Sequence, residues 1–150
     1  MPEKETLKRA RRDKRQGKSP STQAGEFVRE EIHHIREGKH GARSAKQAIA
    51  IGLSKARRAG VKLPPPRKGQ ASAETRESAR RATKQGRKRR RPSPTRARGA
   101  LKRLRREGRS AASKQALSRQ ARTAARRRSA AARSRAAKKA ARTRARRTSR

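Results

Sequence analysis

Three histidines, His33, His34 and His40, share one short segment with Glu30, Glu31 and Glu37. Imidazole and carboxylate side chains are the usual material of metal sites and of acid–base chemistry. On a helix His33 and His34 point about 100° apart, while Glu30/His34 and His33/Glu37, four residues apart, meet at the surface. Each pair offers two ligands, but the chain has no cysteine, and neither a second histidine nor a third ligand falls in register. These groups therefore read as surface ion pairs, with no metal and no cofactor. Glu30 and Glu31 are neighbours on a helix and diverge, so they form no acid–base dyad. No nucleophile stands beside a base and no glycine loop is built to cradle phosphate. The chain does not read as an enzyme.

Its other chemistry is cationic. Fifty Lys and Arg face ten Asp and Glu, a formal charge of +40 on 150 residues. From Pro64 to Arg150 there are 33 Lys/Arg against Glu74, Glu77 and Glu107, or +30 of that total, and from Arg109 onward sixteen with no acid. Such a charge implies a polyanionic partner. Arginine dominates, and its planar fork pairs bidentately with phosphate. The candidate nucleic-acid contacts are Arg87, Lys88, Arg89, Arg90, Arg91, Arg96, Arg126, Arg127, Arg128, Lys138, Lys139, Arg142, Arg144, Arg146 and Arg147. Ser93-Pro94-Thr95-Arg96 is close to the Ser-Pro-Lys-Lys type of repeat in linker-histone tails, although a proline-broken linker is the plainer reading. Nothing equips the chain to read bases. Phe27 is the only aromatic residue, so stacking platforms are unavailable, and a helix-turn-helix would lack its third helix.

The elements that position these residues are sparse. Only 28% of residues are apolar, and low hydrophobicity with high net charge predicts disorder over most of the chain. Ser19–Pro66 is the exception. Ser19-Pro20 opens a first helix whose inner face is Ala24, Phe27, Val28, Ile32 and Ile35, with Arg29, Glu30, His33 and Arg36 on the other side. Gly38 stops it. Ser44 and Gln47 form a capping box for a second helix, with Ala45, Ala48, Ile49, Gly52, Leu53, Ala56 and Ala59 inward and Gly60 at its end. Ile51 points away from that face and is the candidate contact for another protein.

The fold class is therefore mainly α, a short antiparallel two-helix hairpin. A basic arm (1–18) precedes the hairpin (19–66). A basic polar linker without an apolar stripe (67–108) and an Ala/Arg-rich tail (109–150) follow it. The tail is predicted to be largely disordered, or helical only once phosphate relieves its like-charge repulsion. So small a core is marginal alone, which makes a homodimer through the hairpin an expectation. The start has no apolar signal region, and the longest apolar run, Ala48–Leu53, is far below the roughly 20 residues of a membrane span. The expected location is the cytoplasm, on the nucleoid.

Glu37–Arg57 reads EGKHGARSAKQAIAIGLSKAR and is followed by VKLPPP at Val61–Pro66. Over Glu26–Pro66 the chain resembles an uncharacterised domain of small, highly basic bacterial proteins built on EGKHGARSxKQAIAIGLSxAR. That resemblance implies a bacterial origin and brings no activity or functional residues. The tail is similar in composition to bacterial histone-H1-like tails, with arginine preferred. These readings converge on a sequence-nonspecific, nucleoid-associated DNA-binding protein. RNA or ribosome association is the second reading. The third is a protein-interaction adaptor, Ser19–Pro66, tethered by the tail.

Overall fold

Alanine, arginine and lysine are strong helix formers, and the described residues of this chain are mostly helix. The computed structural model describes residues 2–87 and 93–148. Its helices are α1 (Lys4–Arg15), α2 (Pro20–Arg36), α3 (Ala45–Arg58), α4 (Ala73–Arg87), α5 (Pro94–Arg105), α6 (Lys114–Arg126) and α7 (Ala130–Thr148), with a 3₁₀ turn at Ser110–Ala112. No strand occurs among the described residues. The chain divides into two compact units, Met1–Ser113 and Lys114–Arg150.

The expected architecture, a two-helix hairpin with a solvated arm and a disordered tail, is overturned. The hairpin helices do form. Ser19 accepts from the Thr22 amide at 3.4 Å and Ser44 from the Gln47 amide at 3.2 Å, capping α2 and α3. But the arm is α1, which packs on α2 and buries Thr6, Ala10 and Asp13. Arg9 Nε reaches Glu26 at 2.6 Å and fixes the pairing of the two helices. The linker contains α4, which packs on α3 through Ala79 and Ala82. Ala79, Ala82, Thr83 and Gly86 recur at helical spacing and make a stripe of small residues. A search for large apolar side chains passes over such a stripe. In the tail, α6 and α7 form despite the charge. Ser129 Oγ accepts the Ala132 amide at the head of α7, at 3.2 Å. On α6 the cations keep to one side and leave the other to Leu117 and alanines.

The core is made of small residues brought close together. Phe27 sits between Ala10, Ala24, Ala56 and Val61, with Leu7, Leu53 and Leu63 packed around them. Most of the buried apolar side chains are alanine. Arg57, buried on α3, donates to the Pro64 carbonyl at 3.1 Å and holds the proline run against the bundle. Burial draws its pKa below the ordinary arginine value.

The α2–α3 approach depends on Gly52. A Cβ there would stand 2.6 Å from Val28 Cα and 2.9 Å from its nitrogen. Backbone at that distance cannot step aside as a side-chain tip would. Gly52→Ala is expected to destabilise the first unit by about 1–3 kcal/mol, as overpacking does. A urea titration followed by circular dichroism checks this, and an unchanged midpoint would mean the helices do not meet there.

Candidate functional site

The basic residues singled out from the sequence fall into three groups. Arg96 lies exposed in the first turn of α5. The Ser93-Pro94-Thr95-Arg96 stretch is therefore a helix start, with Pro94 at the first position, and not a linker turn. Arg87 ends α4, and Lys88, Arg89, Arg90 and Arg91 lie outside the described residues. Arg126, Arg127, Arg128, Lys138, Lys139, Arg142, Arg144 and Arg146 are all exposed in the second unit, and Arg147 belongs to the last turn of α7. At about 100° per residue, Lys138, Lys139, Arg142 and Arg146 share one side of α7 and Arg144 falls on the opposite one. Ile51 is half-buried on α3 and offers only part of its side chain outward.

Of a further cationic surface, along α6, only Arg126 was among those choices. Lys114, Ser118, Arg119, Arg122 and Arg126 line one shallow surface along α6. The four cations fall within an arc of about 140° on a helix of this pitch, and all are exposed. No acid occurs from Arg109 to the end of the chain. The signal was present as a 5-3-4 spacing of basic residues. Charge clusters adjacent in sequence hid it, because neighbours on a helix do not share a face.

A second constellation is buried in the first unit. Glu30 and Glu31, expected to diverge, converge on Lys55, whose Nζ stands 2.5 Å from Glu31 Oε2 and 3.5 Å from Glu30 Oε1. The two carboxylates leave α2 in different directions, but Lys55 crosses from α3 between them. Glu31 is fully buried and Glu30 nearly so. Glu30 Oε2 also accepts the Glu3 amide at 3.1 Å. The surface ion pairs Glu30/His34 and His33/Glu37 are replaced by longer-range ones. His34 Nε2 pairs with Glu3 Oε1 at 2.8 Å, and His40 Nε2 faces Glu31 Oε1 at 3.0 Å. The hydrogen bond from His34, supported by Lys39, holds the Glu3 carboxyl below its ordinary value.

His40 comes from beyond the end of α2, where helical register could not place it. Gly38, at φ 76°, turns the chain back. The loop is then pinned by the Gly41 amide donating to the Leu104 carbonyl at 2.9 Å and the Ala42 amide to the Gly108 carbonyl at 3.0 Å. A Cβ on Gly41 would lie 1.8 Å from the Glu107 oxygen, so only glycine admits that approach. Arg36 Nε adds a hydrogen bond to the Ala112 carbonyl at 2.9 Å. With the loop in place, the donor atoms of Glu31, His34 and His40 lie within 4.8 Å of one another.

Residues 11–68 match a family described as a family of unknown function (DUF6496). The match runs from α1 to the proline run and takes in every member of the buried constellation except Glu3. No curated protein and no solved structure matches the chain. Among the described residues, no helix is long and apolar enough to cross a membrane.

Proposed function

We propose that this protein binds duplex DNA without sequence preference, neutralising backbone phosphates as a nucleoid-associated protein does. The observation that carries the reading is the exposed cationic face of α6, formed by Lys114, Arg119, Arg122 and Arg126, in a stretch of chain with no acid. Along the helix axis these residues span about 18 Å, at 1.5 Å per residue. That length matches roughly five base pairs of duplex, whose charges recur about every 1.7 Å of axis. Phosphate contacts of this kind fix position and carry no sequence information. With Phe27 the only aromatic residue, and that one buried, base stacking has nothing to use. The first unit, with α1 packed on α2 and α4 on α3, serves as the structured body of the protein.

The test is fluorescence anisotropy on two unrelated duplexes of equal length and on a structured RNA, all at one salt concentration. Sequence-specific proteins prefer their site by roughly 10³–10⁷, whereas the two duplexes here should agree within about tenfold. A larger difference between duplexes overturns the sequence-indifferent reading. Tighter binding to the RNA than to either duplex replaces DNA with RNA as the partner.

A further inference from the structure

In a chain of charge +40, four of the ten acidic residues, Glu3, Glu30, Glu31 and Glu37, gather around His34, His40, Lys39 and Lys55. Lys39 pairs with Glu37 at 2.9 Å, so these two balance. Glu30 and Glu31, both buried, face Lys55 alone, −2 against +1, and half-exposed Glu3, which Lys39 also reaches at 3.4 Å, brings the cluster to −2 with the imidazoles counted as neutral. Neither oxygen of Glu31 accepts a hydrogen bond, although Lys55 and His40 stand at ion-pair distance. The Lys55 ammonium serves Glu31 Oε2, and the buried Oε1, turned to His40, is the oxygen left for a further partner.

The two imidazoles are prepared for one. His40 Nδ1 lies 3.0 Å from the Gly41 carbonyl, which can only accept, so that nitrogen carries a proton, and Nε2 is the nitrogen turned to Glu31 Oε1, at 3.0 Å. His34 Nε2 is taken by the Glu3 carboxylate, which leaves Nδ1 as the nitrogen open to another partner. Histidines that bind metals carry this second partner, a backbone carbonyl or a carboxylate on the other ring nitrogen, which fixes the tautomer.

We propose that Glu31, His34 and His40 bind a first-row transition-metal dication, with Zn²⁺ the best fit and solvent in the fourth position. Two imidazoles and one carboxylate suit Zn²⁺ and its neighbours, while Mg²⁺ and Ca²⁺ want oxygen throughout. At bond lengths of about 2.0–2.2 Å, tetrahedral ligand atoms stand roughly 3.4 Å apart. His40 Nε2 and Glu31 Oε1 are at 3.0 Å already, and the widest pair lies within 4.8 Å. Lys55 stays on Glu31 Oε2, and the dication cancels the remaining −2. Glu3, outside the residues of the family match, acts by orienting His34.

The experiment uses the full chain, free of any histidine tag, stripped with a chelator and titrated calorimetrically with Zn²⁺. Co²⁺ titration is followed in parallel by visible absorption. The expected result is one Zn²⁺ per chain and a tetrahedral Co²⁺ spectrum. Glu3→Gln should weaken binding by about 10–100-fold, the usual effect of losing such an orienting partner, and His34→Ala and His40→Ala by more. His33→Ala, an exposed residue outside the cluster, should leave affinity unchanged. If His40→Ala loses helical dichroism, the His34→Ala and Glu3→Gln titrations decide the matter. Absence of saturable Zn²⁺ binding, or binding indifferent to His34→Ala, overturns the site and leaves a protonated His40–Glu31 ion pair.

Discussion

Replacing Lys114, Arg119, Arg122 and Arg126 together by glutamine should lower the salt dependence of DNA binding by about 3.6 in log–log slope. Each phosphate neutralised on a duplex contributes roughly 0.9, and 4 × 0.9 gives that figure. At 0.1 M salt each contact contributes roughly eightfold through counterion release, so the loss in affinity should be roughly a thousandfold or more. Glutamine is nearly as good a helix former as lysine and arginine, and all four side chains are exposed, so helicity should hold. The control is an equal number of substitutions around α7, at Arg133, Lys139, Arg142 and Arg144. Lys139 and Arg142 lie on one side of α7 and Arg133 and Arg144 on the opposite one, so the four cannot meet one duplex together and the slope should fall by less. Measuring affinity between 50 and 200 mM salt for both variants settles the point. A fall in slope below about 1 for the α6 variant would sink its cationic face as the binding surface.

Lys55→Met should destabilise the first unit more than any other single change outside the apolar core. The methionine keeps the stem that crosses from α3, but Glu30 and Glu31 lose the ammonium between them. Stranding a buried charge costs about 3–5 kcal/mol. The whole stability of a small domain is about 5–15 kcal/mol. In a domain of this size each kcal/mol moves the midpoint by about 4–8 °C, so a fall of at least about 12 °C is expected. Glu31→Gln in the Lys55→Met background should recover part of it, because one of the two stranded charges is gone. Thermal melts by circular dichroism, without added metal, read both effects. A Lys55→Met midpoint within a few degrees of the parent's would mean that the carboxylates are not held by Lys55.

What could be read from the sequence was local. Ser19-Pro20, Gly38 and the Ser44/Gln47 box mark the ends of α2 and the start of α3 because capping is decided within four residues. Packing between distant segments was less visible, for a definite reason. Thr6, Ala10 and Asp13 on α1 and Ala79 and Ala82 on α4 are periodic but small or polar, and a hydrophobicity pattern gives them no weight. The site failed in the same way. Glu30 and Glu31 look divergent on one helix, and only Lys55 from another helix brings them together. His40 lies past a glycine turn, where helical geometry says nothing about direction. The charge of the C-terminal segment was plain, but its arrangement was not. Runs such as Arg126-Arg127-Arg128 draw attention, whereas the spaced cations of α6 make the common face.

Among the described residues, ten of the fourteen buried apolar ones are alanine, and this has a thermal consequence. A methyl group exposes far less apolar surface on unfolding than a leucine or phenylalanine, and the heat-capacity change of unfolding follows that surface. The increment should therefore lie below the usual ~12–15 cal/mol/K per residue. A small heat-capacity change flattens the curve of stability against temperature. The first unit gains little on cooling towards an optimum and loses little on moving away from it. Its stability should vary little across a wide range of temperature, because close backbone approach does much of what the hydrophobic effect does elsewhere.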